Sequence, residues 1–163
     1  AGIREAFRVF RTDLSAYEAE VLRAVKVPLE PHEFDALVSF HYNTGGIAKA
    51  SLTRHLNAGN RSAAAQGFMG WLRPAAIRTR REAERDLFRD GRYPTGTIPV
   101  WAVDRNGRVD FSRPIRRLTE AEALAMLRPT STPVAPTVPT EPISPSGWLA
   151  RLATFFSNLT RRV

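Results

Sequence analysis

The sequence predicts a mainly α protein: a helical lobe, then a small β-hairpin/helix extension, a proline-rich linker and a C-terminal amphipathic helix. Three observations predict it. From Ala1 to about Tyr93, apolar residues recur at three- and four-residue steps, the period of a helix face. Beyond Thr97 the pattern turns to short β-branched runs around a turn signal. From Pro133 to Pro145 a proline stands at every third position. The boundaries read as 1–93, 94–128, 129–147 and 148–163.

The first helix carries Phe7, Val9, Phe10, Leu14, Tyr17, Val21, Leu22 and Val25 as its apolar face. Lys26 to Glu30 breaks the pattern, with Pro28 ending the helix. Pro31 suits the first turn of the second helix, where its missing N–H costs nothing. That helix sets Phe34, Leu37, Val38 and His41 on one face and stops at Gly45-Gly46. A short helix follows around Ser51 to Leu56, closed by Asn57-Ala58-Gly59. Asn60 caps the next, Ser62 to Trp71, and Pro74 separates it from a basic helix, Ile77 to Asp90.

In the extension, Ile98, Val100 and Val103 flank Trp101, and Asp104-Arg105-Asn106-Gly107 turns the chain back into Arg108 to Phe111, a β-hairpin. Thr119-Glu120-Ala121-Glu122 has capping-box spacing and opens a helix to Leu127. The linker should be an extended spacer, roughly 50 Å if fully stretched. The last segment sets Trp148, Leu152, Phe155, Phe156 and Leu159 against arginines. It is too short and polar to cross a bilayer and fits contact with a membrane surface or a partner protein.

Composition bounds the chemistry. The 163 residues are 43% hydrophobic and 25% charged, enough for a core with an ordinary surface. A net charge of +8 favours anionic partners. The absence of cysteine excludes disulfides and thiolate metal sites. His32, His41 and His55 show no metal-ligand spacing, so neither metal nor cofactor is expected. No nucleophile elbow and no phosphate loop stands in the sequence. The arginines alternate with acids and no nucleic-acid reading motif accompanies them, so nucleic acid is not an expected partner. The opening at Ala1 shows no apolar h-region or cleavage site of a signal peptide.

Two blocks carry a family resemblance. The first is Phe34 to Gly45, ending in Phe40-His41-Tyr42-Asn43-Thr44-Gly45. The second runs from Ser51-Leu52 through Leu56-Asn57-Ala58-Gly59, Phe68 and Trp71 to Arg80-Arg81-Glu82-Ala83-Glu84-Arg85-Asp86-Leu87-Phe88. Together they resemble the C-terminal lobe of phage-type lysozymes (endolysins), glycoside hydrolase family 24. The resemblance implies a lysozyme-like helical lobe and a muramidase-type role, hydrolysing or binding the glycan strands of bacterial peptidoglycan on the wall side of the membrane. A non-catalytic wall-binding or scaffold protein is the alternative.

Glycosidic cleavage needs a protonated carboxyl at the leaving oxygen and usually a second carboxylate. In the family these lie in an N-terminal lobe with a Glu helix and an Asp- and Thr-bearing hairpin, which this chain does not match. No catalytic residue is therefore expected within it. Glu5 and Asp13 read as solvated charges, and Asp104 and Gly107 as turn residues. The resemblance nominates Asn43, His41, Trp71 and Arg78 as substrate-binding. Histidine and tryptophan on apolar faces also suit the core. Arg80, Arg81 and Arg85 are expected on a solvated face with Glu82, Glu84 and Asp86.

Overall fold

The computed structural model describes residues 2–128. The linker and the C-terminal segment, with Trp148, Leu152, Phe155, Phe156 and Leu159, lie outside the described residues. Six helices and four short strands follow in the order α1 (Ile3–Ala24), α2 (Pro31–Thr44), α3 (Ser51–Asn57), α4 (Arg61–Gly67), α5 (Arg78–Asp90), β1 (Ile98–Val100), β2 (Ala102–Val103), β3 (Val109–Asp110), β4 (Arg116–Leu118) and α6 (Glu120–Leu127).

The organising element is α2. A single apolar face was expected of it, but Glu33, Asp35 and every residue from Ala36 to His41 are buried. A helix enclosed on all sides must have its polar groups paired, and each here meets a different neighbour. Arg61 of α4 donates to Glu33 at 2.7 Å, and Tyr93 donates its hydroxyl proton to Asp35. Ser39 donates to Glu84 of α5 at 2.8 Å, and His41 Nε2 meets Glu20 of α1 at 2.7 Å. Four polar contacts thus index α2 against its surroundings.

Local chemistry sets the ends of α2. Glu30 and Glu33 form a reciprocal capping box around Pro31. Gly45 closes the helix in the left-handed conformation at φ 60° and donates its N–H to the His41 carbonyl. Asn57 bolts α1 to α3: its Oδ1 accepts from the Lys26 N–H at 2.8 Å and its Nδ2 donates to the Ala24 carbonyl at 2.9 Å. Asn60 caps α4 through Ala63, as the sequence indicates. The expected helix to Trp71 stops at Gly67 and tightens into a 3₁₀ turn, Phe68–Gly70.

α1 follows its predicted limits, with Leu14 and Val21 fully buried, but Val9 and Leu22 of its expected apolar face are exposed. α5 departs further from expectation. Arg80, Arg81 and Glu84 are buried beside Leu87 and Phe88, so the solvated face assigned to Arg80, Arg81 and Glu84 is corrected: they occupy the core-facing stripe.

The hairpin β2–β3 forms with Val103 opposite Val109. A further antiparallel pair, β1–β4, was not foreseen; it aligns Ile98 with Leu118 at its base. Thr119 and Glu122 make the expected capping box of α6, which packs on α1 while Arg11 donates to the Leu127 carbonyl. Leu118, Ala123 and Leu127 join the same core as α2 and α5. The compositional boundary near residue 93 is thus crossed by continuous packing.

Candidate functional site

A groove of about 480 Å³ opens where α2 ends, between that helix and the segment leading into α5. Asn43, Thr44, Gly70, Trp71, Leu72, Arg73, Pro74 and Ile77 line it. Two of the nominated residues, Asn43 and Trp71, therefore meet in one place, more than twenty positions apart in sequence. His41 and Arg78 are not among the lining residues. His41 is 2% exposed; its Nδ1 accepts the Ile47 N–H at 3.4 Å, so its proton sits on Nε2 and faces Glu20. It belongs to the packing of the lobe rather than to the groove wall. Arg78 projects into solvent at the start of α5, 3.8 Å from Glu82.

Asn43 is held from behind by a buried ionic cluster. The Glu84 carboxylate accepts from Ser39, from Arg80 Nε at 3.0 Å and from Arg81 Nη1. The second terminal nitrogen of Arg81 donates to Asn43 Oδ1. Its guanidinium also lies over the Phe40 ring, 5.1 Å from the centroid. Burial pushes the Glu84 carboxyl up and the two guanidiniums down, while each opposite charge pulls its partner back toward the ionised form.

This cluster decides how Asn43 is presented. A guanidinium only donates, so the amide oxygen must face Arg81, which turns the Asn43 NH₂ to the open groove as a donor. Trp71 forms the opposite wall. It is half-buried, edge-on to Phe40 at 5.3 Å between centroids, and its ring covers Gly46 so closely that a Cβ there would lie 2.6 Å from it. Thr44 is spent locally, donating to the Phe40 carbonyl and accepting the Gly46 N–H.

The groove thus offers an amide donor, an exposed guanidinium at Arg73, an indole wall and the apolar sides of Leu72, Pro74 and Ile77. That set suits a polar chain with apolar ring faces. Among the described residues no carboxylate lines it. Glu84, the nearest acid to Asn43 in the cluster, is fully enclosed and has no route to a bound molecule. Glu5 and Asp13 are exposed on α1, as expected of solvated charges. Among the described residues no group of three or more His, Asp or Glu is placed to hold a metal ion.

The profile of the phage lysozyme family matches residues 3–84, half of the chain and all of the cluster just described. The chain belongs to the phage lysozyme family. Among curated relatives, it is 39% identical over 94 residues to the endolysin of Bacillus phage B103, an alignment covering 53% of this chain and 36% of that protein. It is 37% identical over 86 residues to the endolysin of Salmonella phage P22, covering 49% of this chain and 59% of that protein. The SAR-endolysin of Escherichia phage Mu is 33% identical over 91 residues, 52% of this chain and 53% of that one. The chain thus spans between about a third and three fifths of these phage lysozyme relatives. No solved structure matches.

Arg81 and Glu84 were misplaced in the sequence reading although a signal for them exists. Arg80, Arg81, Glu84, Leu87 and Phe88 recur at three- and four-residue steps, so charges and apolar residues share one stripe. Arg73 and Ile77 carried no signal of their own.

Proposed function

We propose that this chain is the glycan-binding lobe of a peptidoglycan-directed muramidase. The observation that carries the reading is the groove between Asn43 and Trp71, inside the family-matched span, with the Asn43 NH₂ turned outward. An amide donor suits sugar hydroxyls and N-acetyl carbonyls, and an indole wall suits the apolar face of a pyranose ring. Arg78, next to the groove-lining Ile77 at the start of α5, is the further candidate for contact along the strand in this reading.

Because no carboxylate among the described residues lines the groove, the acid that protonates the glycosidic oxygen is not among those residues, and this lobe's part in the reaction is to hold the strand. The same observation favours a second reading, a wall-binding protein that does no chemistry and is tethered to a membrane or partner by Trp148, Leu152, Phe155, Phe156 and Leu159.

Co-sedimentation with purified peptidoglycan tests the shared claim: the chain should pellet with the wall, and a chain left in the supernatant refutes it. Turbidity clearing then separates the roles. The chain alone should bind without clearing, whereas robust clearing would place an acid on a residue not assigned here. Clearing restored by a Glu-bearing N-terminal lobe of the family, added in trans, selects the muramidase reading over the second.

A further inference from the structure

The β2–β3 hairpin carries an apolar face that the core does not use. Alternation along the strands puts Trp101 and Val103 on one side, with Val109 and Phe111 beside them on the partner strand. Val103 stands directly opposite Val109, and the Trp101 and Phe111 rings touch edge-on at 5.5 Å. Val103 is 60% exposed, Val109 40% and Phe111 53%; Ile115, at the base of the hairpin, is 66% exposed. None of these five belongs to the hydrophobic core or packs against it. The hairpin also lies beyond the span that matches the family.

The charge around this face is one-sided. Residues 101–117 contain five arginines and two aspartates. Asp104 is occupied in the turn, accepting the N–H groups of Asn106 and Arg108, and Asp110 accepts that of Ser112. Arg116 is paired with Glu122. Arg105, Arg108 and Arg113 make no salt bridge among the described residues and are exposed.

We infer that the hairpin is a peripheral anchor for an anionic lipid bilayer, with Trp101, Val103, Val109 and Phe111 entering the headgroup boundary and the arginines meeting the lipid phosphates. A bilayer interface supplies both things this surface asks for: an apolar layer for valines and aromatic rings, and negative charge above it. A second copy of the chain would set arginines against arginines. The chain's own C-terminal segment offers Arg151, Arg161 and Arg162 and no acid after Glu141, so it does not complement the surface either. A nucleic acid or acidic polymer would match the charge but leave Val103 and Val109 in water. No helix of the described residues is long and apolar enough to cross a membrane, so the contact is peripheral.

The test uses the absence of cysteine from the chain. In the full chain, Asn106→Cys at the turn carries one environment-sensitive fluorophore, and Lys49→Cys on the lobe carries the control. Vesicles of phosphatidylcholine containing phosphatidylglycerol should blue-shift the turn label and leave the control unmoved; pure phosphatidylcholine and poly-L-glutamate should shift neither. Val103→Ser with Phe111→Ser should weaken vesicle partitioning of the labelled chain about tenfold and remove the shift. Circular dichroism of that variant should stay native, since neither residue packs on the core. A shift with poly-L-glutamate would make the surface a polyanion site and overturn the inference. So would vesicle binding without a shift at the turn, or a shift that survives the double variant.

Discussion

Asn43 is the residue on which the functional reading turns, because its neighbours determine which half of its amide a ligand meets. Asn43→Asp keeps an oxygen for Arg81 but replaces the outward donor by an acceptor. Peptidoglycan affinity should fall about tenfold, the scale of one lost hydrogen bond, with no fall in melting temperature. Glu84→Gln acts differently: it leaves two buried guanidiniums without their carboxylate, and such broken buried pairs cost about 3–5 kcal/mol. Chemical denaturation would register that loss directly. Asn43 was legible in the sequence because it sits in a short motif at a helix end. Glu84 was not, since a charged residue on an arginine-rich helix reads as solvated until its place on the Leu87–Phe88 stripe is weighed.

Among the elements, α2 shows why patterning succeeded and where it stopped. Pro31 and Gly45 mark its ends in the sequence, and the structure keeps those limits, adding a capping box of Glu30 and Glu33. Burial on all sides was invisible, because Glu33, Asp35 and Ser39 look like a polar face until partners from other elements are known. β4 was missed for a related reason: Arg116-Arg117-Leu118 has no alternation, and only Leu118 is buried.

Two predictions belong at this scale. Gly46→Ala would drive a methyl into the Trp71 ring. It should move that wall of the groove and weaken peptidoglycan binding severalfold, with a change in Trp71 fluorescence as the check. At the start of α6, the Thr119 backbone N–H, then Arg116 and the Thr119 hydroxyl, hold the Glu122 pKa below its ordinary value of 4.5. The folded pKa is depressed, so this stabilisation is complete above the unfolded value and is lost as pH falls through the folded one. The protection of the α6 amides, taken relative to their intrinsic exchange at each pH, should therefore fall as the solution is acidified below about pH 4.5, and Glu122→Gln should flatten that response.

For the molecule as a whole, composition divided the described residues near position 93, and packing joins them. The extension sends Leu118, Ala123 and Leu127 into the core of the helical lobe while its hairpin stands away from it. The lobe belongs to the phage lysozyme family, and among the described residues no carboxylate lines its groove. The central claim is that Asn43, turned outward by the Glu84–Arg81 cluster, makes this groove a glycan site. Co-sedimentation of the full chain and its Asn43→Asp variant with purified peptidoglycan tests it most directly. The chain should pellet with the wall and the variant should bind about tenfold more weakly at equal stability. Equal binding by the two, or no binding by either, would contradict the account.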